Sequence, residues 1–201
     1  MVGGVDVSRE TMDRLKSYQM LLKKWNPAIN LVSKSTLENA WYRHIEDSAQ
    51  IYRLAPKAVG HWADLGSGGG FPGMVIAILA MEKGNPSRVT LVESDIRKCT
   101  FLRTVARETG VNATVLSERI ENISPLGADI LSARALSDLS TLLSFAHRHM
   151  ASEGQAIFMK GVTWQKEMEE AQSTWRFNHE VAKSKTENGP AILRISGVSR
   201  V

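Results

Sequence analysis

The spacing of hydrophobic and polar positions changes once along this chain, near residue 60. Before that point apolar residues recur with a helical period. Met12, Leu15, Leu22 and Trp25 fall on one face of a helix that Ser8 can cap, and Pro27 is expected to end it. A second helix opens with a capping box of Ser35 and Glu38. It turns Leu37, Trp41, Ile45, Ala49 and Tyr52 inward and stops near Pro56. After residue 60, short apolar strands alternate with amphipathic helices. Strands are expected from His61 and over 88–95, 112–116, 129–132 and 155–161. Helices are expected over 74–80, 96–108, 138–150 and 164–175. In the second of these, Ile96, Cys99, Phe101, Leu102, Val105 and Ala106 form the inward face. Segments 177–185 and 191–198 have no room for a helix between them, so they are expected to pair as an antiparallel hairpin.

This pattern predicts an α/β protein. Residues 1–58 form an N-terminal helical extension, and residues 59–201 form a Rossmann-like core, the whole making one compact unit. The sheet is mostly parallel and ends in the C-terminal antiparallel pair, which is the outline of a Rossmann-like methyltransferase rather than of a dinucleotide dehydrogenase.

The first strand leads into Asp64-Leu65-Gly66-Ser67-Gly68-Gly69-Gly70-Phe71-Pro72-Gly73 and then an apolar helix. Such a turn lets a ligand approach the backbone, and the helix start offers free N–H groups. Phe71 occupies the last glycine position of the dinucleotide fingerprint, so that pattern fails. Asp64, two residues before the first glycine, would repel a pyrophosphate. It suits a ligand with an amino group, such as S-adenosylmethionine. Glu93 ends the next strand about twenty residues further on, where a carboxylate can accept from both ribose hydroxyls. By the switch-point rule the ligand lies across the strand ends, facing Asp64, Glu93, the 117–121 turn, residues 132–134 and Lys160.

The composition narrows the alternatives. A 43% hydrophobic and 23% charged chain of 201 residues is ordinary for a soluble globular protein. Net charge +4 is compatible with nucleic acid without requiring it. The single cysteine, Cys99, excludes an intramolecular disulfide and a cysteine-cluster metal site; it reads as a buried, inert thiol, and no metal is expected. The first residues lack the basic and apolar regions of a signal peptide, and no apolar run is long enough to span a bilayer. The expectation is a cytoplasmic protein with no membrane partner, monomeric by default. Lys23, Lys24, Arg97, Lys98, Arg103 and Arg107 are candidates for phosphate contacts, with a solvated charged face as the alternative for each.

Four segments together resemble one family: Trp25-Asn26-Pro27-Ala28-Ile29-Asn30-Leu31-Val32-Ser33, Arg43-His44-Ile45-Glu46-Asp47-Ser48, the loop from Asp64 to Gly73, and Ser132-Ala133-Arg134-Ala135. They are similar to ribosomal RNA small subunit methyltransferase G, also called glucose-inhibited division protein B. The likeness covers nearly the whole chain. It implies a class I S-adenosylmethionine-dependent methyltransferase fold and methyl transfer to N7 of a guanine in 16S rRNA, with that rRNA or the small subunit as partner. It also implies cofactor contacts at Gly66, with Ser67 and Gly68 of the same loop, at Phe71, at Ile120 and Glu121 flanking the adenine, and at Arg134. Relatives often have Ser directly before that Arg, so the place of Ser132 is open.

Guanine N7 is an unprotonated nucleophile, so no strong general base is required, and none is assigned. His44 and Lys160 are positioning candidates: His44 for holding the extension over the cofactor or touching RNA, Lys160 for a phosphate or the target base. Two other readings stand beside this one: a small-molecule methyltransferase on the same fold, and a noncatalytic S-adenosylmethionine-binding regulator.

Overall fold

The computed structural model describes residues 1–201. Its sheet contains β1 (His61–Leu65), β2 (Arg88–Val92), β3 (Ala113–Leu116), β4 (Ala128–Arg134), β5 (Met150–Lys160), β6 (Trp175–Lys183) and β7 (Ala191–Arg200). They lie in the order β3-β2-β1-β4-β5-β7-β6. Strands β1 to β5 run parallel, and β7 is antiparallel to both of its neighbours, β5 and β6. The expected C-terminal hairpin is therefore present, with β7 inserted inside β6. β1 pairs with β2 on one side and β4 on the other, so the order reverses there and a crevice opens at the strand ends.

Helices α1 (Arg9–Ile29), α4 (Gly73–Lys83) and α5 (Ile96–Thr109) contribute Leu15, Tyr18, Leu22, Ile76 and Phe101 to one core layer. Helices α6 (Leu139–His149) and α7 (Trp164–Gln172) contribute Leu142, Phe145 and Met168 to the other. With helices on both faces, β1 is buried at every position, as a central parallel strand must be. The extension is stitched into the first layer rather than resting on it.

The helical extension differs from expectation in several places. Pro27 does not end α1. It lies inside the last turn, where its missing N–H forfeits one bond, and the helix stops at Asn30, left-handed at φ 48°. The buried Asn26 side chain then closes the turn, accepting from the Val32 amide at 2.8 Å and donating to the Val32 carbonyl at 3.1 Å. The Ser35–Glu38 capping box does not form. Ser33 stands at the start of α2 (Lys34–Leu37), and Ser35 meets the Ser33 hydroxyl at 3.1 Å instead. The expected second helix is a series of short pieces: α2, a wide π-helical stretch (Trp41–Glu46), α3 (Asp47–Ala49) and a 3₁₀ turn (Gln50–Leu54). Such a local change of winding re-aims side chains, here His44 and Asp47. Ile96 is 73% exposed, because the first turn of α5 overhangs the layer that Phe101 and Leu102 enter. Trp175 opens β6 rather than closing α7.

Candidate functional site

At the ends of β1, β2 and β4 lies a cavity of about 490 Å³. Its floor is the glycine loop. Ser67 N–H bonds the Val92 carbonyl at 3.0 Å, and Gly70 N–H bonds the Ser67 carbonyl at 2.7 Å. Gly66 sits at φ 62° and would place a Cβ 2.5 Å from Leu136 Cδ1, so any other residue there would be strained and would displace Leu136. Glu93 is buried and spans the two motifs. Its Oε2 accepts from Gly68 N–H at 2.9 Å and its Oε1 from Asp95 N–H at 2.8 Å. Each carboxylate oxygen can accept one further bond, and Glu93 lines the cavity.

Gly66, Ser67, Gly68, Phe71, Glu93, Ile120, Glu121 and Arg134 all line this cavity. The Ile120 carbonyl is held from behind by the buried His149, which donates from Nε2 at 3.0 Å. A carbonyl only accepts, so Nε2 carries a proton there; burial lowers the pKa of His149, which favours the neutral ring.

Asp64 corrects an expectation. It does not reach the cavity. It is fully buried beneath the loop, with Oδ1 accepting from the Ser132 hydroxyl at 2.7 Å, which in turn accepts from Trp62 Nε1 at 2.9 Å. Gly73 packs on it so closely that an added Cβ would lie 2.5 Å from Asp64 Cβ. Burial raises its carboxyl to about 6. Asp64 and Ser132 shape the loop from below rather than meeting a ligand directly.

Next to the first cavity is a second, of about 390 Å³. Leu31, Arg134 and Ala135 line both. Ala135 holds φ at 51°, a costly conformation for a residue with a Cβ, at the point where the two cavities meet. Aromatic stacking builds the partition: Tyr18 on Phe71 at 5.1 Å between centroids, His44 on Phe71 at 5.0 Å, and the Arg134 guanidinium over the Phe71 ring at 5.1 Å. The Tyr18 hydroxyl donates to the Gly69 carbonyl, tying α1 to the loop.

The histidine state follows from its partners. Arg134 Nη2 lies 3.0 Å from His44 Nδ1, and a guanidinium only donates, so Nδ1 is the acceptor. The proton is then on Nε2, which donates to Thr36 Oγ1 at 2.9 Å. Burial, with the charges of Arg134 and Arg43, lowers His44 to about 3. His44 is a neutral strut, with both ring nitrogens engaged.

Asp47 ties this partition to the far end of the chain. Its Oδ2 pairs with Arg134 Nη1 at 3.3 Å, and its Oδ1 accepts from Gln50 Nε2 at 2.8 Å and from the Thr186 hydroxyl. Tyr42 donates to the Lys185 carbonyl at 3.1 Å. Lys160, almost buried at the end of β5, donates to the Ser137 carbonyl at 2.7 Å and pairs with Glu167 at 2.6 Å; it lines the second cavity, not the first.

The basic candidates separate into two kinds. Lys23 and Lys24 are exposed on α1, and Lys98 lines the first cavity. Arg97 is paired with Asp95 at 3.1 Å and Arg107 with Glu108 at 3.0 Å. Arg103 donates to the Val115 carbonyl and the Ser117 hydroxyl, clamping the end of β3. Sequence reasoning missed Tyr18, Thr36 and the turn from Ser184 to Glu187. The Arg43-His44-x-x-Asp47-Ser48 segment pointed at their neighbourhood without naming them. No helix is long and apolar enough to cross a membrane.

Residues 11–191 match the family model described as rRNA small subunit methyltransferase G. The chain is 54% identical to a protein of that name from Ruegeria sp. strain TM1040, over 98% of this chain and 96% of the relative. Among solved structures it is similar to a methyltransferase from Geobacter sulfurreducens, with a TM-score of 0.61, 14% identity, and coverage of 96% of this chain and 91% of that one. It is equally similar to a point mutant of MtNAS in complex with S-adenosylmethionine, with a TM-score of 0.61, 18% identity, and coverage of 92% and 76%. At those identities the structures speak for the fold alone.

Proposed function

The chain belongs to the rRNA small subunit methyltransferase G family, and from that premise we propose that it transfers a methyl group from S-adenosylmethionine to N7 of a guanine in the 16S rRNA of the small ribosomal subunit. The observation that carries this reading is the pair of adjoining cavities with Arg134 and Ala135 in their common wall.

The first cavity suits the cofactor. Its volume is in the range of small-ligand sites. The loop glycines leave a cradle that a Cβ at Gly66 would fill, and Glu93 offers carboxylate lone pairs for ribose hydroxyls. Ile120 and Glu121 would flank the adenine, while Gly66, Ser67, Gly68 and Phe71 hold the amino-acid end near Arg134. When bound, S-adenosylmethionine supplies an electrophilic methyl on a sulfonium.

The second cavity suits a nucleobase displaced from its stack, a requirement for chemistry on a base within folded RNA. Lys160 spends two contacts on Ser137 and Glu167 and keeps a third N–H for the O6 acceptor of guanine, beside N7. The attacking lone pair carries no proton, so a neutral His44 is no handicap. Catalysis then rests on alignment of N7 with the methyl, which the Phe71–His44–Arg134 partition fixes. Of the basic candidates, Lys23, Lys24 and Lys98 remain available for phosphate contact, so substrate binding is expected to weaken steeply with salt.

The test is methyl transfer from labelled S-adenosylmethionine to small ribosomal subunits and to total RNA from cells lacking this protein, with nucleosides read by mass spectrometry. Label in N7-methylguanine of 16S rRNA is expected. Cofactor binding without such label would overturn the rRNA reading in favour of a small-molecule or regulatory role.

A further inference from the structure

We propose that Glu187, on the turn between β6 and β7, reads the Watson–Crick edge of the target guanine and stabilises the charge that the base gains on methylation. The inference rests on the rRNA reading above and names the specificity residue of that same site.

Guanine presents two adjacent donors on that edge, N1–H and N2–H, where adenine presents an acceptor beside a donor. A carboxylate is acceptor-only, and its two oxygens match two parallel donors. Two carboxylates line the second cavity, Asp47 and Glu187. Asp47 is occupied. Its Oδ1 accepts from Gln50 and Thr186, and its Oδ2 pairs with Arg134. Glu187 meets Arg43 alone, in an ion pair at 2.7 Å that leaves its hydrogen-bonding capacity for a ligand. The side chain is 28% exposed, open to an incoming base yet partly shielded from water.

The turn that carries Glu187 is fixed to the helical extension. Lys185 N–H donates to Gln50 Oε1 at 2.9 Å, the Lys185 carbonyl accepts from Tyr42, and the Thr186 hydroxyl donates to Asp47. These bonds fix the residues immediately before Glu187, so the carboxylate is presented with little backbone freedom. Lys160 lines the same cavity with a donor to spare. Donor for O6 and acceptor for N1–H and N2–H select guanine over adenine, whose polarity is reversed at position 6 and N1 and which has no donor at position 2.

The carboxylate also acts on the reaction. As the N7 lone pair forms the new N–C bond, the C–S bond breaks and its electron pair stays on sulfur. The purine becomes cationic, and its N1–H and N2–H become stronger donors. A hydrogen bond to Glu187 therefore strengthens between ground state and transition state, which raises kcat rather than only lowering KM.

The test compares wild type, Glu187→Gln and Glu187→Ala on small subunits from cells lacking the protein, and on the same subunits reconstituted with inosine at the methylated position. Inosine lacks the N2 amine. Wild type is expected to lose roughly 10- to 100-fold in kcat on inosine, and Glu187→Gln a similar factor on guanosine. On inosine, Glu187→Gln should lose less than it does on guanosine, because the N2 half of the pair is already absent and only the N1–H contact remains to be weakened. S-adenosylmethionine affinity, measured calorimetrically, should stay at the wild-type value in both variants, which also reports that they are folded. Wild-type turnover with Glu187→Gln and Glu187→Ala within twofold of it would overturn this inference alone, and so would losses from variant and inosine that multiply. Absence of wild-type turnover on guanosine would overturn the rRNA reading and this inference with it.

Discussion

The two adjoining cavities are held by different means. The first is backbone: a glycine turn, the end of β2 and the 118–121 turn, arranged by strand pairing, with Glu93 bonding two main-chain amides. The second is side chain. His44, Asp47, Arg134 and Thr186 come from the extension, the middle of the sheet and the C-terminal turn, and meet through charges and hydroxyls. A wall of backbone tolerates side-chain changes and fails when a Cβ is added. A wall of paired charges fails when one partner is removed.

The sharpest test of that contrast is Asp47→Ala. It removes the charged partner of the mostly buried Arg134 and frees the Thr186 and Gln50 donors. Breaking such a pair from one side costs about 3 kcal/mol, because the remaining charge is left uncompensated. In a chain of this size that is a fall in Tm of roughly 6 to 12 °C, read by circular dichroism. An unchanged Tm would mean that the web is decoration on an independently stable turn. Gly70→Ala is the counterpart in the first region. Gly70 sits at φ 92°, and its Cβ would lie 2.6 Å from the Tyr18 hydroxyl. Left-handed strain and overpacking together suggest a loss of about 2 kcal/mol in urea denaturation. A smaller side-chain cut there, Glu93→Gln, keeps the shape and gives up the charge. Cofactor affinity should fall about tenfold in calorimetry, the worth of one charge-assisted hydrogen bond, and Tm by roughly 2 to 8 °C, because the Gln amide can accept from only one of the Gly68 and Asp95 N–H groups.

The same contrast explains what could be read in the sequence. Glycine turn, β-strand and following carboxylate are close in the chain, so their spacing carries the first cavity almost whole. Glu93, Ile120 and Glu121 stand where the strand ends put them. Asp64 misled because β1 is buried on both faces, and burial then says nothing of which side chain points to the ligand. The second cavity had no such local record. Asp47 and Thr186 are 139 residues apart, and no periodicity links them. The π-helical stretch at Trp41–Glu46 shifts the register that helical spacing assumed. Arg103 has the look of a free cation in sequence, and only the fold brings the Val115 carbonyl to it.

The subtlest expected difference between the regions is a pH dependence of opposite sign. Burial and two nearby arginines lower His44, in the second region, from 6.5 to about 3. Burial raises Asp64, beneath the first, from 3.8 to about 6. Between pH 6 and pH 4 the unfolded chain carries a proton on residue 44 that the folded chain lacks, so acidification destabilises through His44. In the same window the folded chain carries a proton on Asp64 that the unfolded chain has lost, so acidification stabilises through Asp64. The two slopes oppose each other, each at most about 1.4 kcal/mol per pH unit, while His61 and His149, also lowered by burial, add to the destabilising side. Single variants separate them. Relative to wild type, His44→Gln should gain stability as pH falls from 6 to 4, because the destabilising slope of His44 is removed while the rise through Asp64 remains. Asp64→Asn should lose stability over the same range. Urea midpoints at pH 4, 5 and 6 read both slopes directly. Variants that run parallel to wild type at all three would mean that neither burial environment holds its group as the geometry requires.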